Sequence, residues 1–231
     1  MISLKTWNAF VDLIFPRVCI GCKRHLNFYE KILCIGCRLD LPLTHFQKNR
    51  KNPLFQKLKL NFPLENASAL FYFEKEGKVA RMIHQFKYLD QRHLGVYLGH
   101  WLGDTLLESS NLKKVDGIIP VPLHPSKKRK RGYNQAAIIA GALSEKLKVP
   151  LVKETLIRVK RTQSLAQIGY DERWREVDQA FEFNKPLPKE MKHVLLVDDV
   201  ITTGATLTAC ARALLKKNPL KLSIVSLACR L

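Results

Sequence analysis

An α/β fold, with a mainly parallel sheet flanked by helices and a small cysteine-bearing module ahead of it, is what this sequence predicts. Three observations predict it. Val194 to Val197 is an unbroken apolar run that ends in Asp198 and Asp199. Leu207 to Lys217 follows, with Leu207, Ala211, Leu214 and Leu215 on one helical face. A second apolar run, Asp116 to Val121, also leads toward a helical segment. Continuous apolar runs mark strands covered on both sides, as those of parallel sheets are. The third observation is C-x2-C-x11-C-x2-C at Cys19, Cys22, Cys34 and Cys37.

Of 231 residues, 46% are hydrophobic and 26% charged, which suits one packed α/β domain with a small appendage. The charge is lopsided, with 39 basic against 20 acidic residues and a net +19. Such an excess attracts nucleic acid, anionic membrane or phosphorylated ligands without choosing among them. No apolar stretch approaches the roughly 20 residues that span a bilayer. Met1 to Phe15 reads as a short amphipathic helix that packs on its own domain or on a partner, with a membrane surface as a further reading. Pro16-Arg17-Val18-Cys19 offers no small-residue cleavage site, so a cytoplasmic protein is expected.

Residues 1–45 are expected to hold this helix and the four-cysteine module. Two close Cys pairs are what a tetrahedral Zn²⁺ site needs, and Gly21 and Gly36 allow tight turns within them. Two disulfides are the alternative. The missing secretion signal and the isolated Cys210 and Cys229 favour reduced thiolates, hence structural zinc. His25 and His45 read as surface residues.

Residues 46–66, basic and broken by Pro53 and Pro63, read as an irregular linker. Residues 67–231 form the main domain. Ala69 to Phe73 reads as a strand, and Gly77 to Leu107 as two helices broken near Asp90. Pro122 to Arg131 is expected as a loop leaving the carboxyl end of the second strand, where ligands gather in such sheets. It carries Lys127, Lys128, Arg129, Lys130 and Arg131, five cations suited to pyrophosphate or a nucleic-acid backbone. Gly132 opens a helix through about Lys148. Strands are expected around Val149 to Lys153, Ala180 to Asn184 and Lys221 to Ala228, with a long basic loop from Glu154 to Val177.

The chemistry concentrates at Asp198 to Thr206. Gly204 lets the backbone approach an anion, and Thr202, Thr203 and Thr206 add hydroxyls at a helix N-terminus, a natural phosphate site. Asp198 and Asp199 repel phosphate. Their suitable partners are a vicinal diol or hydrated Mg²⁺. Phosphate, diol and Mg²⁺ meet in a phosphorylated ribose. Taken singly, each part also fits ordinary packing, with Thr206 as a helix cap.

The whole string, Val194 to Thr206, resembles the 5-phosphoribosyl-1-pyrophosphate (PRPP) loop of type I phosphoribosyltransferases. Pro120-Val121-Pro122-Leu123-His124-Pro125, Arg131-Gly132-Tyr133-Asn134-Gln135 and the paired cysteines narrow the resemblance to the ComF family of phosphoribosyltransferase-like competence proteins. It runs from about Phe15 to about Leu227.

The resemblance implies the type I phosphoribosyltransferase fold with a zinc ribbon-like module. It implies PRPP, with Mg²⁺, at Asp198, Asp199, Thr202, Thr203, Gly204, Ala205 and Thr206. Lys127, Lys128, Arg131, Arg158 and Arg161 become candidates for the pyrophosphate and the closing loop. Single-stranded DNA and uptake-machinery proteins, a competence helicase among them, are the implied partners in natural transformation. Leu165 and Glu176 depart from the Gln and Asn usual in the family's closing loop. No residue stands out as a general base for an acceptor. An active salvage or amide phosphoribosyltransferase and a non-catalytic PRPP or nucleotide sensor are the alternatives.

Overall fold

A computed structural model describes residues 16–109, 114–160 and 179–231. The expected N-terminal helix and the closing-loop residues Arg161, Leu165 and Glu176 lie outside them.

The core is a four-stranded parallel sheet. β1 (Asn66–Tyr72), β2 (Gly117–Pro120), β5 (His193–Ile201) and β6 (Lys221–Cys229) lie in the order β1-β6-β5-β2. Residues 222–229 of β6 are all buried, as a central strand covered on both faces must be. Along β5, Leu195 and Val197 join the core beneath α3 (Lys78–Tyr88), α4 (Arg92–Leu107) and α6 (Gln135–Leu147). Val194 and Leu196 face the opposite way, toward α2 (Pro53–Lys59) and α7 (Ala205–Leu215). The period of two therefore sends the side chains of Asp198 and Asp199 to opposite faces of the sheet.

α4 and α6 approach closely because α4 carries Gly95, Gly99 and Gly103 at four-residue spacing. A Cβ at Gly99 would lie 2.7 Å from that of Ala142, and one at Gly103 2.8 Å from that of Lys146. Asp90, with φ 50°, breaks α3 from α4 where expected.

Three expectations are corrected. The segment after Phe46 is not an irregular linker: a 3₁₀ turn (Phe46–Lys48) and α2 occupy it, with Leu54, Phe55 and Leu58 buried. Asn52, 1% exposed, caps α2 by accepting from the Phe55 amide at 2.9 Å. Its own amide donates to the Ala67 carbonyl at 2.8 Å, which ties α2 to β1.

The segment after Val121 is not a loop throughout. α5 (Pro125–Arg131) begins with proline at its first turn and ends at Gly132, φ 80°. α6 then starts at Gln135 rather than at Gly132, capped by Asn134.

The strand expected near Val149 is reduced to one parallel bridge, Leu151 to Ile118. Pro150 accepts there but has no N–H to extend the ladder. β3 (Leu156–Arg158) instead pairs antiparallel with β4 (Phe181–Phe183) in a separate ribbon.

Candidate functional site

At the N-terminal module the four sulfurs of Cys19, Cys22, Cys34 and Cys37 lie within 4.8 Å of one another, the only such His/Cys/Asp/Glu group among the described residues. The Cys34 amide donates to Cys19 Sγ and the Cys37 amide to Cys34 Sγ, each at 3.3 Å. The bond from the Cys37 amide is the main cause that draws the Cys34 thiol down to about 6. Donation to sulfur from backbone N–H groups, in a compact set of four thiols, fits Zn²⁺ in a closed structural site. Gly21 is needed because a Cβ there would sit 3.0 Å from Cys37 Sγ, whereas one at Gly36, in α1 (Ile35–Asp40), would meet only Arg24 Nη2 at an ordinary 3.9 Å. His25 and His45 are exposed, as expected.

The module packs directly on α3. Cys19, Cys34 and Cys37 share one buried cluster with Val79, Met82 and Phe86. Gln85 Nε2 donates to the Ile20 carbonyl at 3.2 Å.

The second site is at the carboxyl end of β5. Asp198 and Asp199 are its sixth and seventh residues, so the strand itself carries the carboxylates. Asp198 is half-buried, and its Oδ1 accepts from the Asp199 amide at 2.8 Å. Burial, reinforced by the neighbouring Asp199 charge, pushes the Asp198 carboxyl up to about 7. Asp199 faces α3 and meets Lys87 Nζ at 2.8 Å, the two side chains being 12% and 21% exposed.

Beyond Ile201 the chain turns through Thr202 and Thr203, both exposed, to Gly204, φ 84°, which opens α7 without a capping side chain. Thr203 Oγ1 accepts from the Ala205 amide at 3.3 Å. Thr206 lies inside the helix and does not cap it. An N-terminus with this little side-chain capping is suited to a bound anion. α2 braces the turn from outside: Lys57 Nζ donates to the carbonyls of Thr202 and Arg230 at 2.9 and 3.0 Å. Leu58 lies so close that a Cβ on Gly204 would meet its Cδ2 at 2.6 Å.

The predicted basic residues divide. α5 spreads its five cations around a helix: Lys128, Arg129 and Lys130 are exposed, Lys127 and Arg131 half-buried. Arg131 lies over the Tyr88 ring at 5.1 Å and donates to the Tyr88 hydroxyl and to Gln135 Oε1, both at 3.2 Å. The Tyr133 hydroxyl donates to the Phe86 carbonyl. Arg131 to Gln135 thus fastens the last turn of α3, the turn that carries Lys87.

Arg158, at the end of β3, packs on Phe181 at 5.0 Å, and burial lowers its pKa while the Asp198 charge acts against that. Lys128 and Arg158 line a cleft of about 500 Å³ with Pro120, Pro122, Leu156 and Ile157. Lys57 and Lys87 were absent from the residues predicted to form this site. Each reaches it from an element far away in sequence; Arg81, Lys87 and Tyr88 resemble the corresponding helix of the ComF family, but nothing local demands a catalytic role for them.

As to Mg²⁺, one of the two carboxylates, Asp199, already carries an ammonium. The donor set here suits a ligand's hydroxyls and Lys87 better than direct metal ligation.

A parallel sheet with an acidic pair and a sparsely capped helix start at the end of one strand is the arrangement of the type I phosphoribosyltransferase fold. Residues 134–230 match the family model described as phosphoribosyl transferase domain. Competence protein F of Haemophilus influenzae is 28% identical over 233 residues, covering 91% of this chain and 96% of that protein. The DNA utilization protein YhgH of Escherichia coli is 27% identical, covering 87% and 85%. Competence protein ComFC of Bacillus subtilis is 31% identical over 104 residues, covering 44% and 39%. Within that fold class, the chain is similar over most of its length to competence protein F and to the DNA utilization protein, and over part of it to ComFC.

Proposed function

We propose that this protein binds PRPP at Asp198 to Thr206 and acts in DNA uptake by handling single-stranded DNA. The observation that carries the ligand is the Thr202–Gly204 turn, where exposed Thr202 and Thr203 lead into a sparsely capped helix start beside two carboxylates. The turn would take the 5-phosphate, and the carboxylates the ribose hydroxyls. Where Mg²⁺ accompanies the ligand, it would offset part of the charge on the ligand's phosphates. The relatives' names, two competence proteins and a DNA utilization protein, support the setting. The net +19 charge and the exposed Lys128, Arg129 and Lys130 suit a nucleic-acid backbone.

Two measurements test this. Calorimetry should give heat with PRPP and none in Asp198→Ala/Asp199→Ala; an unchanged signal in the variant would remove the ligand assignment. Affinity for a single-stranded oligonucleotide should fall steeply with salt. Neutralising Lys128, Arg129 and Lys130 should shallow the slope by about 2, at roughly 0.7 per phosphate contact. A salt-independent signal would overturn the DNA part.

The cleft beside Arg158 favours a second reading, group transfer. An acceptor lying there would displace pyrophosphate from C1 of PRPP, taking the phosphoribosyl group as the C1–O bond breaks. Pyrophosphate release that depends on an added nucleobase or amine is the expected sign, and none across the panel would reject transfer to those acceptors.

A further inference from the structure

We infer that the Lys87 ammonium is a built-in cation of the donor pocket, so that PRPP binds with little dependence on a divalent ion. The inference rests on the PRPP reading of Asp198 to Thr206.

Two neighbouring carboxylates beside a ligand with five or so negative charges form a repulsive arrangement unless positive charge stands between them. In this chain the charge is already in place. Lys87 Nζ lies 2.8 Å from Asp199 Oδ2, and both side chains are largely withdrawn from water, where such a contact is weakly screened.

The lysine is also held. Phe86 before it receives the Tyr133 hydroxyl through its carbonyl. Tyr88 after it stacks under the Arg131 guanidinium and accepts from it. Lys87 therefore meets the carboxylate that would take a ribose hydroxyl, while the next residue, Tyr88, contacts Arg131 at the end of the basic α5. A pyrophosphate on C1 of that ribose would lie along this line. An ammonium has three donors. One satisfies Asp199, which leaves donors for the diol or the pyrophosphate without moving the side chain. The role is that of a positioning cation, and it needs no proton transfer.

The test is calorimetric titration of PRPP into protein kept zinc-loaded, in buffer freed of divalent ions by chelating resin beforehand and in the same buffer with Mg²⁺. The wild-type protein should bind within about threefold of the same affinity in both buffers. Lys87→Met should bind at least tenfold more weakly without Mg²⁺ and recover much of the loss with it, while Lys87→Arg should resemble the wild type. A purely structural lysine would weaken both conditions alike in Lys87→Met, and that result overturns the inference. Loss of wild-type binding on omitting Mg²⁺ overturns it directly, whatever the variants do. Absence of binding in every condition would instead remove the PRPP reading on which the inference rests.

Discussion

Lys57 Nζ donates to the main-chain carbonyl of Thr202 at 2.9 Å, joining α2 to the turn proposed to receive the ligand's phosphate. The same ammonium takes the Arg230 carbonyl at 3.0 Å, so one side chain closes the exit of β5 onto the end of β6. Lys57→Met is expected to weaken PRPP binding roughly tenfold, the equivalent of about 1.4 kcal/mol, close to the lower end of the range for a charged hydrogen bond. The melting temperature should move little, because the side chain is only half-buried. Calorimetry and thermal denaturation together check this, and equal affinity in the variant would show that the brace is idle.

Gly204 is constrained twice, by φ 84° and by Leu58 Cδ2 standing where a Cβ would come to 2.6 Å. Gly204→Ala should cost about 1–3 kcal/mol through backbone strain alone, with the contact adding to it. Combining it with Leu58→Ala should relieve the contact and not the strain. A double-mutant cycle in urea is the measurement, and strict additivity would show that the two residues do not meet.

Asp198 sets a pH dependence whose sign follows from its raised pKa. The native state keeps a proton that the unfolded chain gives up at about pH 4, so this group's contribution to stability falls as pH rises from about 4 to about 7. Ligand binding runs the other way, since the ribose hydroxyls donate to the ionised carboxylate. PRPP affinity should climb between pH 6 and 8 and level off above, and Asp198→Asn should flatten the rise. Lys87, Arg158, Asp199 and Cys210 are the groups that act on this carboxyl or are acted on by it. A profile identical in wild type and variant would assign the titration to the ligand.

The cysteine cluster predicts one zinc per chain by elemental analysis. Cys34→Ser should lose the metal and melt at a lower temperature, because Cys19, Cys34 and Cys37 are part of the same buried cluster as α3. Full stability in metal-free protein would refute a structural role.

The strand, turn and helix from Val194 to Leu215 were legible because their signals are local: an apolar run, a carboxylate pair and a glycine follow one another in the chain. The four cysteines were legible for the same reason. α2 was obscured by its lysines, although Asn52-Pro53 is a cap followed by a first-turn proline and could have marked its start. α5 has no apolar period to find: its residues are proline, serine and five cations, so only Pro125 and Gly132 mark its ends. The divergence of Asp198 and Asp199 was implicit in the strand's alternation, yet only the packing on each side shows which carboxylate faces Lys87.

Gln85 and Lys87 lie two positions apart on α3, one bonded to Ile20 within the first cysteine pair and the other to Asp199. The cysteine module and the proposed donor pocket are thus both fastened to the last turn of one helix. Whatever coupling free energy this helix transmits is reciprocal: if metal loading tightens PRPP, then PRPP must tighten metal by the same factor. With such coupling the four-cysteine module would gauge the proposed pocket's occupancy, and a partner that grips its exposed Phe28 and Tyr29 would be in a position to read it.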